Sequence, residues 1–140
     1  MTSAIDLDDR AVSVVEDYDA IRDVVQMCLD GEATGDVRKL RTAFHDDARM
    51  FGALSGERYD VPISELIEMS AKTPADTGQY RSRILSIQQT GDAALATVAE
   101  EGYWGTVSFI DYLSLARIDG HWKIVSKLFA HTGGEPPDLG

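Results

Sequence analysis

An aspartate at position 111 is the residue whose position in the sequence most strongly suggests chemistry. It lies in the segment FIDYLSLARIDGHWKIVSKLF, residues 109–129, in which Asp119-Gly120 is typical of a two-residue hairpin turn that pairs Ile118 with His121. Counting outward from that turn places Phe109, Leu113, Leu115, Trp122, Ile124 and Leu128 on one face, and Tyr112, Ser114, His121, Lys123 and Lys127 on the other. Asp111 falls on the apolar face, where a carboxylate needs a cationic partner, a proton or a polar cavity.

Two interpretations of Asp111 follow from the neighbouring segments. A second hairpin around Gly91-Asp92 would oppose Leu85 to Val98, Ile87 to Ala96 and Arg83 to Glu100, so Asp111 could pair with Arg81 or Arg83 at the rim of the sheet. Alternatively, burial raises the pKa of Asp111, and the neutral acid donates a hydrogen bond to a ligand oxygen.

The other reactive side chains are scattered. His45 either closes a helix end or moves a proton near Asp111, and Cys28 lies on an apolar helical stripe without a basic neighbour. Tyr18 and Trp104 are either core residues or pocket walls. The three histidines lack the spacing of metal ligands, and no phosphate-binding loop or serine nucleophile elbow occurs, so we predict neither a metal nor a cofactor.

The composition narrows the functional class. A net charge of −11 over 140 residues argues against binding to nucleic acid or to an anionic membrane. No apolar run is long enough for a membrane helix, the first residues are acidic, and the single Cys28 cannot form an internal disulfide. We therefore expect a cytoplasmic protein.

The remaining pattern predicts the elements that would position these residues. A helix is expected over residues 14–33, with an apolar stripe formed by Val14, Tyr18, Ile21, Val25 and Cys28, ending at Gly35. Further elements are a short helix capped by Asp36, a strand over 49–54 turned back at Ser55-Gly56, a helix over 63–72, and strands over 80–90 and 93–103. This order favours an α+β fold in a single domain over residues 14–131, with flexible tails at 1–13 and 132–140.

Several motifs resemble a known superfamily. They are GD at Gly35-Asp36, FHDDARMFG at 44–52, DVPISELIEM at 60–69, TGDAALATV at 90–98, and DYLSLARIDGHWKIV at 111–125. Together they resemble the nuclear transport factor 2-like superfamily, which includes ketosteroid isomerase-like and SnoaL-like proteins, and within it the family described as lumazine-binding. The resemblance implies a cone-shaped α+β barrel, with three helices packed on the concave side of a curved mixed or antiparallel sheet.

The resemblance also implies a pocket between the first helix and the sheet. Its expected walls are Tyr18, Cys28, Met50, Trp104 and Leu113, with Arg83 and Asp111 as polar contacts. In comparison with ketosteroid isomerase, Asp111 matches the late aspartic acid, while Cys28 and Gly52 stand at the positions of the tyrosine and of the base.

Three functions remain open at this point. The leading one is a cofactor-independent protein that binds a small molecule and forms a homodimer through its sheet, because the outward face of the last hairpin mixes Ile110, Tyr112, Val125 and Phe129 with lysines. The second is an isomerase or dehydratase-like enzyme in which Asp111 polarises a carbonyl and His45 moves the proton. The third is a dimeric scaffold without catalysis.

Overall fold

The computed structural model describes the backbone of residues 2–139 and the side chains of residues 14–139. Its elements, in chain order, are α1 (Thr2–Thr34), α2 (Val37–Ala43), β1 (Phe44–Leu54), β2 (Glu57–Pro62), α3 (Ile63–Lys72), β3 (Asp76–Thr90), β4 (Ala93–Tyr103), β5 (Val107–Ile118) and β6 (His121–Gly133). Three helices and a curved, unclosed mixed sheet confirm the predicted α+β fold.

Helix α1 follows the predicted apolar stripe over its second half only. Ile21, Val25 and Cys28 are buried, whereas Val14 and Tyr18 are 60% and 46% exposed. The helix begins at Thr2, earlier than predicted, and ends before Gly35, whose positive φ of 72° reverses the chain. The side chains of the predicted tail at 1–13 lie outside the described residues, and its flexibility stays a prediction.

The two shorter helices form where the sequence predicts them. The Asp36 side chain accepts a hydrogen bond from the Lys39 backbone N–H at 3.1 Å and so caps α2. Helix α3 follows Pro62, and its buried residues, Ile63, Leu66, Ile67 and Ser70, recur at the spacing of one helix face. Both helices therefore pack one face against the core, with Leu40 and Ala43 as the buried residues of α2.

The six strands form one sheet in the order β2-β1-β6-β5-β4-β3. Neighbouring strands are antiparallel except for β1 and β6, which are parallel. The predicted turn at Asp119-Gly120 is present with φ values of 50° and 80°, and Ile118 pairs with His121. All three helices contact strands of this sheet, so the core lies between the helices and one sheet face.

A β-bulge in β6 reverses the sheet faces predicted for the residues that follow it. Leu115 pairs with Ile124 but Ser114 pairs with Ser126, so Val125 is the extra residue. Beyond it the alternation changes phase. Lys127 and Phe129, predicted to face outward, are buried, and Leu128, predicted to face the core, is 51% exposed.

A second bulge in β3 breaks the predicted pairing of Arg83. Ile84 pairs with Val98 and Ser86 with Thr97, which leaves Leu85 unpaired and 54% exposed. Beyond the bulge Arg83 pairs with Ala99 and is exposed, so the predicted Arg83–Glu100 pair is wrong. The nearer pairing of Ile87 with Ala96 is confirmed because it lies between the turn and the bulge.

The last strand extends beyond the predicted end of the domain at His131. Strand β6 ends at Gly133, the Thr106 hydroxyl donates to the Glu135 carbonyl at 3.0 Å, and Leu139 packs partly buried against the core. The flexibility predicted for 132–140 stays a prediction. Within the described residues, no helix is long and apolar enough to cross a membrane.

Candidate functional site

A narrow cavity lies between α3 and the sheet. Its apolar lining comprises Met50, Leu54, Tyr59, Leu66, Met69, Trp104, Phe109 and Phe129, and its polar lining Tyr103, Asp111 and Lys127. The cavity volume is about 30 Å³, room for one or two water molecules. A larger ligand therefore requires movement of the walls, and the flexible side chains of Met50 and Met69 are suited to it.

The polar floor of this cavity is built around the ammonium group of Lys127. Its Nζ lies 2.8 Å from Glu32 Oε1 and 3.5 Å from Asp111 Oδ2, and all three side chains are 5% exposed or less. The Glu32 carboxylate also accepts hydrogen bonds from the Tyr103 hydroxyl at 2.7 Å and the Cys28 thiol at 3.2 Å. A buried carboxylate needs such donors, because water no longer solvates it.

A third carboxyl group completes the cluster. Glu100 is 1% exposed, and its Oε2 accepts a hydrogen bond from the Tyr80 hydroxyl at 2.8 Å. Glu100 and Asp111 share one face of neighbouring strands, since Val98, two residues before Glu100, pairs with Asp111. We refer to Glu32, Glu100, Asp111 and Lys127 as the buried charge cluster.

Burial determines the ionisation of this cluster. It raises the pKa of Glu100 well above its usual value, and the neighbouring Asp111 and Glu32 carboxylates raise it further. Burial also raises the pKa of Asp111, although Lys127 opposes this effect. Burial alone would lower the pKa of Lys127, but the attraction of the carboxylates prevails and keeps it protonated.

The two groups that donate to Glu32 also stay protonated. Burial, followed by the charge of Glu32, raises the pKa of both the Cys28 thiol and the Tyr103 hydroxyl. Cys28 is thus a hydrogen-bond donor, and its raised pKa makes it a poor nucleophile.

The three carboxyl groups have a spacing that could suit a metal ion. One oxygen each of Glu32, Glu100 and Asp111 lies within 4.8 Å of the others, an arrangement that the spacing of the histidines in the sequence does not predict. The ammonium of Lys127 already contacts two of the three groups. We therefore assign the role of the cation to Lys127.

Comparison with known proteins places the chain in a family. Residues 16–130 match the family model described as "Putative lumazine-binding". The chain belongs to this family. It is also similar to an NTF2-like protein of unknown function from Methylobacillus flagellatus, with 32% identity, a TM-score of 0.77, and coverage of 84% of this chain and 94% of that one.

Two further relatives are similar at lower identity. An NTF2-like protein of unknown function from Shewanella baltica is 26% identical, with a TM-score of 0.77 and coverage of 86% of this chain and 97% of that one. The aldolase FrzH from Cladobotryum sp is 26% identical over 113 residues, 81% of this chain and 90% of its own length. The NTF2-like superfamily predicted from the sequence motifs is thereby confirmed.

The structure brings together only part of the site predicted from the sequence, and the cavity is lined by α3 and not, as predicted, by the described residues of the first helix. Met50, Trp104 and Asp111 line one cavity. Cys28 is buried behind its floor as a donor to Glu32, and Leu113 is fully buried in the core without lining the cavity.

Three predicted site residues lie elsewhere. Tyr18 is 46% exposed on α1, and Arg83 is exposed beyond the β3 bulge. His45 accepts a hydrogen bond from the Asp47 backbone N–H near the start of β1, where Phe44 pairs with Ile124. That level of the sheet is four residues along β5 from Asp111, on the order of 13 Å. The cation beside Asp111 is therefore Lys127, neither of the predicted arginines, and His45 is too distant to move its proton.

Gly52, the position that the sequence resemblance aligns with the isomerase base, has no room for a side chain. A Cβ atom at Gly52 would lie 2.5 Å from the ring of Phe129, its partner across the parallel pair β1–β6. Phe129 faces this position because of the β6 bulge. The Phe129 ring thus fills the space that a side chain at position 52 would occupy.

Replacing Lys127 tests whether its ammonium holds the cluster together. We expect Lys127→Met to destabilise the protein by about 3–5 kcal/mol in urea unfolding, because Glu32 and Asp111 would lose their cation while remaining buried. The matched control is Lys123→Met on the same strand, whose ammonium donates to the exposed Thr42 carbonyl. The loss of stability in Lys123→Met should be about 1 kcal/mol. Equal losses in the two variants would contradict this account.

Proposed function

We propose that this protein binds a small, mainly apolar molecule that carries a carbonyl or hydroxyl oxygen. The observation that supports this most strongly is the pair of Asp111 and Lys127, two buried charged groups that line an otherwise apolar cavity. Such pockets use a few polar groups to orient a ligand and an apolar wall to bind it. The oxygen would meet the Lys127 ammonium, and Met50 and Met69 would adjust to the rest of the molecule.

A pair of shape-matched probes tests this proposal. In protein labelled at the methionine methyl groups, cyclohexanone should shift the Met50 and Met69 signals at lower concentration than methylcyclohexane, because only the ketone offers an oxygen. Met27 lies outside the cavity lining and serves as the internal reference. Equal effects of the two probes would show that Asp111 and Lys127 do not contribute to binding. Shifts of the Met27 signal alone would show that the probes bind outside this cavity. Lumazine can be tested with the same three signals.

We further propose proton transfer at a carbon next to the ligand carbonyl as a second function. The Asp111 carboxylate would take a proton from this carbon while the Lys127 ammonium stabilises the negative charge on the enolate oxygen, and the proton would return to the same or another carbon. The raised pKa of Asp111 suits a base. The similarity to the aldolase FrzH, at 26% identity, also favours carbonyl chemistry.

Exchange of carbon-bound hydrogen measures this step directly. In heavy water, we expect the protein to accelerate deuterium incorporation next to the carbonyl of cyclohexanone, and Asp111→Asn to abolish the acceleration, because an amide cannot accept the proton. Asp46→Asn, at an exposed position of β1, is the matched control and should retain it. Unchanged exchange in Asp111→Asn would exclude Asp111 as the base.

We also propose that two copies associate through the outer face of the sheet. Phe51, Leu128 and Tyr112 are 42%, 51% and 43% exposed and occupy paired positions on β1, β6 and β5. They form an apolar row across three strands, which suits a symmetric interface. This row replaces the one predicted from the sequence, since Phe129 and Lys127 face inward.

A charge placed in the middle of the row tests the dimer. Leu128→Glu should convert a dimer into a monomer in light scattering coupled to gel filtration, because two carboxylates would be buried at a symmetric contact. Val15→Glu, at a 66% exposed position on α1, should leave the mass unchanged. A monomeric mass for the unmodified protein, or a dimer that withstands Leu128→Glu, would contradict the proposal.

A further inference from the structure

Two buried oxygens of the charge cluster find no hydrogen-bond donor. They are Glu100 Oε1 and Asp111 Oδ1, and neither has a partner among the described residues. The other oxygen of each group is occupied, by the Tyr80 hydroxyl and by the Lys127 ammonium respectively. A buried acceptor without a donor costs about 1–3 kcal/mol and more when it is charged, so the two orphan oxygens call for an explanation.

The two carboxyl groups lie in contact with one another. Glu100 and Asp111 occupy diagonal positions on the same face of β4 and β5, and their side chains are within hydrogen-bonding reach. Two carboxylates cannot donate hydrogen bonds to each other. With oxygens within 4.8 Å of one another in a buried site, they repel strongly. One proton between them removes the repulsion and supplies a donor.

The charges around the pair favour one proton and no more. The groups facing it are the Lys127 ammonium from β6, the Glu32 carboxylate and Cys28 thiol from α1, Tyr80 from β3 and Tyr103 from β4. Four ionised members of the cluster would place three negative charges around a single positive one. With one proton on the pair, the buried charges reduce to two carboxylates and one ammonium, and Lys127 still has an anion on each side.

We infer that Glu100 and Asp111 share one proton at neutral pH, held between Glu100 Oε1 and Asp111 Oδ1. Glu100 is then a positioning residue: as the neutral acid it donates to Asp111, and so orients the Asp111 carboxylate while Lys127 keeps it ionised. The role of Glu100 in ligand binding or proton transfer rests on the function proposed above. The shared proton does not, because it follows from the unliganded geometry.

The protonation state can be read from the carboxyl carbons in carbon-13 NMR. At pH 7 we expect one protonated carboxyl signal, assigned through the side chain to Glu100 or Asp111, and its loss in Glu100→Gln. Glu101→Gln is the matched control, since Glu101 is the exposed neighbour that pairs with Arg81 at 3.0 Å, and it should keep the signal. Two protonated signals from the pair, or none, would overturn the inference.

Unfolding provides a second measurement on the same variants. A glutamate in an unfolded chain loses its proton near pH 4.3, whereas folded Glu100 keeps it to higher pH. Unfolding therefore releases a proton above pH ~4.3, and this contribution lowers stability as pH rises toward the folded pKa. The stability of Glu100→Gln relative to the unmodified protein should increase from pH 5 to pH 7.5, whereas that of Glu101→Gln should not. A constant difference for Glu100→Gln would contradict a shared proton.

These readouts separate the two proposals. A protonated carboxyl signal without any effect of cyclohexanone would support the shared proton and contradict the proposed ligand binding. Binding of cyclohexanone without a protonated signal would do the reverse. If Glu100→Gln does not fold, the assigned spectrum of the unmodified protein still decides the question.

Discussion

One ammonium group buried among three carboxyl groups is the constraint on which the rest of the structure depends. Each of the four side chains comes from a different element, Glu32 from α1, Glu100 from β4, Asp111 from β5 and Lys127 from β6. Removing one ion from a buried pair leaves the other without compensation, a cost of about 3–5 kcal/mol that exceeds most single packing changes. The cluster therefore fixes how α1 and the three strands lie relative to one another, and it places polar groups at the floor of a cavity that would otherwise be hydrocarbon.

The sequence predicts strand pairing and facing correctly only over the residues close to a recognisable turn. Turn chemistry fixes a register only as far as the next irregularity: the pairing of Ile87 with Ala96 is correct, and that of Arg83 with Glu100 fails beyond the bulge at Leu85. The facing of Asp111 is predicted correctly because β5 has no extra residue between the turn and position 111, whereas the facing of Lys127 is predicted wrongly because Lys127 follows the extra residue Val125 in β6. Neither bulged residue is a glycine or has a glycine or proline beside it, so the sequence carries no strong local signal for either bulge.

Glu32 and Glu100 are a different case, because the signal for them is present in the sequence. Glu32 continues the buried spacing of Ile21, Val25 and Cys28 along α1, and Glu100 continues the alternation of Ala96 and Val98 along β4. A charged residue at the end of an apolar stripe usually lies in solvent. The sequence alone therefore does not indicate that the two stripes converge and that both glutamates are buried. The cluster can be predicted from the sequence only when the three acids are considered together. Three acids at inward positions require a cation, and the nearest candidate is Lys127, whose position differs by one residue from the inward alternation of β6.

The same bulge that brings Lys127 inward also shapes both surfaces of the sheet. By shifting the alternation of β6 it turns Leu128 outward beside Tyr112 and Phe51, and it turns Phe129 inward over Gly52. The apolar outer row, the ammonium at the cavity floor and the aromatic ring over Gly52 thus depend on one β-bulge. If Val125 paired regularly with Ser114 and did not bulge, Lys127 would pair with Tyr112 on the outer face and Leu128 with Asp111, leaving the carboxyl groups buried without an ammonium. The bulge is therefore as much a part of the candidate site as the ionisable groups it positions.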